Sequence, residues 1–254
     1  MIGEPPVRHD RMPSPIDRLP DDDPRLDADH VRSVPGARDV LVVGVVHDHP
    51  ASVHRVRSLV DAVAPDVVAL ELPKLAVPLY SAYVENPDQS TARGGEMSAA
   101  IDAADGSEVV GIDAPSGRFL RALVRESRAA DIGREELERV ARGLATVTRR
   151  ALASRLAAPI ARRTDVEFEL DAPTDHGCTD ADAPDAQAAD ERRQIRRSVA
   201  LLGALDGGGA AALRDRAREA AMAEAIADRS DEDSVVAVVG RDHLDPVVER
   251  LADE

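Results

Sequence analysis

"DVLVVGVVHDHPASVHRVRSLVDAVAPDVVALEL", residues 39–72, decides the fold. It opens on a nearly unbroken valine run at 40–46. A short run that is apolar on both faces reads as a strand buried in a parallel sheet. Past Pro50, apolar residues recur at Val53, Val56, Leu59, Val60 and Val63, while His54, Arg55, Arg57 and Asp61 fall elsewhere. That spacing predicts an amphipathic helix, and proline suits its first turn. "DVVALEL" at 66–72 is a second core strand. Strand, helix and strand within about 30 residues make a βαβ unit.

Two further runs match the first pair: "EVVGID" at 108–113 and "SVVAVVG" at 234–240. Helical patterns lie between them, including a long amphipathic one over 134–156 and others in "ADERRQIRRSVALLGAL" and "AAALRDRAREAAMAEAIADRS". The expected fold is therefore α/β, a mainly parallel central sheet with flanking helices and a helical insertion. The last strand needs partners in the first sheet, so residues 39–254 read as one domain. Residues 1–38 carry many prolines and acids and no apolar periodicity, and read as a flexible tail. Residues 171–190 read as an acidic loop.

The net charge of −16 argues against nucleic acid, because the field repels polyanions. Lys74 is the single lysine, and aromatics make up 2% of the chain. We read this acidity as adaptation to a salt-packed cytoplasm, where screening removes carboxylate repulsion. No apolar run approaches the roughly 20 residues that span a bilayer. Cys178 stands alone in a polar stretch and reads as a solvated loop cysteine, with no cysteine zinc site. His9, His30 and His176 fall in expected tail or loop, and His54 on the first helix's surface.

The strand ends carry the chemistry. The first strand runs into His47, the second ends at Glu71, the third at Asp113, and the fourth runs into His243. In a parallel sheet these ends share one edge, where open α/β sheets bind ligands. Two imidazoles and two carboxylates there suit a divalent cation and its bound water. The first and last strands also share a pattern, G-x-x-H-x-x-P, at Gly44, His47 and Pro50 and again at Gly240, His243 and Pro246. His49 has no such counterpart, and either joins the crevice or faces solvent. Glu96 follows two glycines at a helix start, where the dipole favours an acid. Arg121 and Arg218 lie on helices and are candidates to clamp a substrate carboxylate or an oxyanion.

In order along the chain, "LVVGVVHDHPASVHRVRSLVDAVAPDVVALELPK", "GGEMSAAIDAA" with "VVGID", "REAAMAEAI" and "VVAVVGRDHL" resemble the motifs of the TraB/PrgY/GumN family, which includes the Tiki proteins. Two positions depart from that pattern: Ala114 stands where an arginine usually follows the aspartate, and Ala217 where an acid precedes the arginine. The resemblance implies a fold related to erythromycin-esterase-like and ChaN-like proteins. It also implies metal-dependent peptidase activity, as attributed to Tiki proteins.

The leading expectation is a divalent-metal hydrolase cutting an amide bond in a peptide or small molecule. His47, Glu71 and His243, with Asp113, would hold Mn²⁺, Co²⁺ or Zn²⁺. Glu71 or Glu96 would take the water's proton, and Arg121 or Arg218 would stabilise the oxyanion. One rival is a regulatory protein that binds a peptide or small ligand without turnover, of the pheromone-shutdown type. The other is a haem- or iron-binding protein.

Overall fold

The computed structural model describes residues 22–34, 40–85, 94–130, 133–161, 176–204, 209–230 and 233–253. Five strands form one sheet: β1 (Val31–Ser33), β2 (Val40–Val45), β3 (Val67–Pro73), β4 (Glu108–Asp113) and β5 (Val235–Gly240). The order across it is β1-β2-β5-β3-β4. All neighbours are parallel except β1, which pairs antiparallel with β2. The last strand in sequence is the middle strand in space: Val238 is flanked by Val43 on one side and Leu70 on the other. Val235, Val236, Val238 and Val239 are all fully buried. Each such valine contributes roughly 1.5–3 kcal/mol relative to exposure, which explains why the purest valine strand takes the centre.

Helices cover both faces: α1 (Pro50–Val63), α2 (Val77–Glu85), α3 (Gly95–Ala103), α4 (Gly117–Ala129), α5 (Arg134–Ala161), α6 (Pro184–Ala204), α7 (Ala210–Ser230) and α8 (Arg241–Ala252). Alternate residues of a strand point to opposite faces. Val43, Val45, Leu70 and Val238 thus meet Val56, Leu59, Val60, Met97 and Ala100 of α1 and α3. Val42, Ala69, Ala237 and Val239 meet Met222, Ile226, Leu244 and Val247 of α7 and α8. Helices α4 to α7 form the insertion between β4 and β5, with α4 packed along α7 and α5 on α2. Among the described residues no helix is long and apolar enough to cross a membrane.

Three expectations change. The tail does not run to residue 38: Val31–Ser33 is a sheet strand, and Val34, which follows it, is buried. Two short turns precede it, each capped by an aspartate, with Asp23 accepting from the Arg25 amide and Asp27 from the Asp29 amide. Side-chain caps of this kind order a segment without any apolar periodicity. Residues 1–21 and 35–39 lie outside the described residues. The acidic loop is shorter than expected, because α6 begins at Pro184; residues 171–175 also lie outside the description. Finally, Pro246 sits inside α8, whereas Pro50 opens α1. The two G-x-x-H-x-x-P motifs are therefore not structural twins.

Candidate functional site

The carboxyl ends of β2, β5, β3 and β4 lie side by side, as the parallel topology requires, and two polar clusters form there. The first belongs to β2. After Val45 the chain makes a tight turn in which Asp48 adopts φ 56°. His47 stands on this turn, and its Nδ1 lies 2.6 Å from Glu96 Oε1. Glu96 Oε2 accepts the Asp48 amide at 2.8 Å. Glu96 is buried in the first turn of α3, while the His47 side chain is 61% exposed. Gly94 and Gly95, with φ 78° and 48°, bring α3 against this turn; a Cβ on Gly95 would collide with Asp48. The His47 pKa is raised to about 9, first by the Glu96 hydrogen bond, against the cost of burial, and then by the charges of Glu96, Glu71 and Asp48. The shift favours the charged ring at neutral pH, on a side chain that is largely exposed.

The second cluster is built on Arg218 of α7. Its guanidinium forks across two strand ends. Nη2 donates to Glu71 Oε1 at 2.5 Å and to Asp113 Oδ2 at 2.8 Å, and Nε donates to Asp113 Oδ1 at 2.9 Å. The other Glu71 oxygen accepts the Gly240 amide at 2.6 Å. Burial works to lower the Arg218 pKa, but the Asp113 bond and the Asp113 and Glu71 charges outweigh it and raise it. His243, in the first turn of α8, completes the group: Nδ1 is 3.1 Å from Glu219 Oε1, and Nε2 is 3.1 Å from Arg218 Nη1. In the neutral ring, Nδ1–H donates to Glu219 and Nε2 accepts from Arg218. Burial opposes protonation of His243, while the Glu219 bond and the Glu71 charge overcome it and the Arg218 repulsion, so its pKa is raised. Protonation turns Nε2 into a donor, with Glu71 Oε1 at 3.7 Å as the available acceptor.

Backbone irregularity aims Glu71. The β3–β4 register shifts between Leu70 and Pro73, and such bulges re-aim side chains near strand ends. Gly111 opposite permits it, since a Cβ there would sit 2.6 Å from the Leu72 carbonyl oxygen.

The expected metal set does not assemble. No three of His47, Glu71, Asp113 and His243 bring ligand atoms within 4.8 Å of one another. Arg218 instead occupies the place between Glu71 and Asp113, and a bound guanidinium repels a cation. These residues do not fit a divalent metal. Arg121 is 69% exposed on α4 and pairs with Glu224 at 3.7 Å. Glu96 and Arg218 do join the strand ends, Glu96 as the partner of His47.

His49 neither reaches the crevice nor faces solvent. It is fully buried and caps α1, with Nδ1 accepting the Ala51 amide at 3.1 Å. Its other nitrogen faces Cys178 and Asp190, which together with it form the one group of three potential metal ligands among the described residues. Cys178 is therefore half-buried against an imidazole, not a solvated loop residue. His30 is buried beside Glu191, and His54 pairs with Asp23.

The sequence reading missed Glu219 and Asp190. Glu219 had a signal: it stands among Ala217, Ala220, Ala221 and Met222, and a charge within a small-residue face must be buried and paired. Asp190 had none, being one acid in an acidic stretch. Comparison with protein-family models, with curated proteins and with solved structures finds no match to this chain.

Proposed function

We propose that this protein is a hydrolase that moves protons through His47 and Glu96 and acts on an amide bond of a peptide or small molecule. The observation that carries the reading is an exposed imidazole clamped at 2.6 Å by a buried carboxylate at the carboxyl edge of a parallel sheet. Buried Glu96 fixes the ring's orientation and favours its charged form. The one free ring proton, on Nε2, passes to the leaving nitrogen, and the neutral ring then takes the proton that the attacking water loses, which restores the imidazolium. Glu71, Asp113, Arg218 and His243, at the same sheet edge, would orient a polar substrate. This replaces a cation between Glu71 and His243 with proton chemistry at His47. The resemblance to the TraB/PrgY/GumN family supports an amide as the scissile group, and the acidic composition supports a salt-rich cytoplasm as the setting.

A second reading is a ligand-binding protein without turnover. It is favoured by the mutual satisfaction of the Arg218 cluster, in which every oxygen of Glu71 and Asp113 already accepts a hydrogen bond.

Cleavage of a peptide library in molar KCl, with chelator present, separates the two. The hydrolase reading expects turnover that survives chelation and falls about 10²–10⁴-fold in His47→Gln. No turnover of any library member, or turnover unchanged in His47→Gln, overturns it.

A further inference from the structure

Away from the crevice, the start of α6 and the loop before it pack against the start of α1. Three unlike donors meet there. His49 Nε2 lies 3.6 Å from Cys178 Sγ and 3.5 Å from an Asp190 carboxylate oxygen, Oδ2. Donor atoms of all three residues lie within 4.8 Å of one another. Zinc bonds nitrogen and oxygen at about 2.0–2.1 Å and sulfur at about 2.3 Å, so tetrahedral angles place N and S about 3.6 Å apart and N and O about 3.4 Å apart. The His49–Cys178 and His49–Asp190 edges match these values. One imidazole, one thiolate and one carboxylate is also a donor set that zinc takes and that magnesium or calcium does not.

Two further observations point to a ligand. The Asp190 carboxylate is held in place, since Oδ2, the oxygen nearest His49, also accepts the Gly177 amide and Gln194 Nε2, each at 3.0 Å. Hydrogen bonds of this kind hold the carboxylate ligands of metal sites in place. His176, whose ring centroid is 4.9 Å from that of His49, is held at Nδ1 by the same Gln194, and its buried Nε2 has no hydrogen-bond partner. A buried polar atom left unsatisfied is rare and calls for an explanation.

We propose that His49, Cys178 and Asp190 form a zinc site with one open coordination position. The site is separate from the hydrolase reading and stands or falls without it. Because Nδ1 accepts the Ala51 amide, the neutral His49 ring carries its proton on Nε2. Binding moves that proton to Nδ1, releases the Cys178 thiol proton to solvent, and gives up the α1 cap. In exchange the ion ties α6 to α1, two residues from His47.

The test uses the full chain in molar KCl, stripped with chelator and then titrated with Zn²⁺ and with Co²⁺ as a spectroscopic probe. The expected result is one ion per chain and a thiolate-to-cobalt charge-transfer band. Cys178→Ser and Asp190→Asn abolish the band, and His49→Asn does so while keeping a capping side chain. Gln194→Ala weakens zinc about 10–100-fold, and His47→Asn leaves zinc affinity unchanged. Zinc should also slow alkylation of Cys178 in the wild-type chain at least tenfold, a readout that needs no variant to fold. Absence of the cobalt band, equal zinc affinity in Cys178→Ser, or alkylation indifferent to zinc overturns the site.

Discussion

The Glu96 carboxylate divides its oxygens between the His47 ring and the Asp48 amide, so position and charge of the imidazole are set by one buried group. Glu96→Gln keeps the shape and removes the charge. The His47 pKa, about 9 in the wild type, should then fall toward the ordinary value near 6.5. NMR titration of the ring proton measures it, and a value unmoved by Glu96→Gln would refute Glu96 as the cause. The sign for stability follows from the raised value. The pair's contribution is complete below about pH 6.5, where the unfolded ring is also charged, and is lost as pH rises through about 9. His47, Glu71, Asp113 and His243 were legible in the sequence because a parallel sheet must bring its strand ends together. What they would do there was not. The Arg218 guanidinium comes from a helix 105 residues beyond Asp113, and strand-end logic alone gives no sign that it, and not a metal ion, fills the gap. His49 was unreadable for a related reason: its buried partners, Cys178 and Asp190, come from a loop and from the first turns of α6, and a helical pattern alone does not single out Asp190.

Helix α1 shows how far pattern reading carries an element. Its apolar stripe, Val56, Leu59 and Val60, packs on the sheet as the spacing predicts. Its Arg55, which lies off that stripe, is nonetheless fully buried, because α6 supplies Glu191 and the pair is bidentate, Nη1 to Oε1 at 3.0 Å and Nη2 to Oε2 at 2.5 Å. Ser52 Oγ donates to the same Glu191, and His30 Nε2 lies 3.7 Å away. One buried carboxylate thus joins α1, α6 and the turn before β1. Glu191→Gln leaves Arg55 buried without its counter-charge and should cost about 3–5 kcal/mol of unfolding free energy, read from denaturant midpoints in molar salt. A loss below about 1 kcal/mol would make the pair no better than a surface ion pair. Acid should act on the same junction. His30 has its pKa lowered to about 4 by burial and the Arg55 charge. The unfolded chain takes up this proton near pH 6.5 and the folded one only near 4, so stability falls as pH drops through that window. His30→Gln should flatten the slope there, and an unchanged slope would assign it to another group.

Across the molecule the charges are lopsided, with 48 acidic residues against 32 basic ones. The arginines are drawn toward carboxylates, as in the Arg218 fork and the Arg55–Glu191 pair, which leaves the surplus of acid to the surface. Such a surface repels itself over the Debye length, about 30 Å at 0.01 M salt and about 3 Å at 1 M. At low salt the repulsion reaches across the whole chain, and unfolding relieves it. The core has little reserve against this. Its sheet is mostly valine and alanine, and aromatics, which bury the largest areas, are 2% of residues. The melting temperature should therefore rise steeply between about 0.01 M and 1 M KCl. Sucrose at matched osmolality stabilises by exclusion from the surface but does not screen charge. If screening is the cause, KCl must exceed sucrose by a wide margin, and the excess must grow with pH as the carboxylates ionise. Equal effects of the two solutes, or a melting temperature flat across the KCl series, would mean that the acidity does not govern stability.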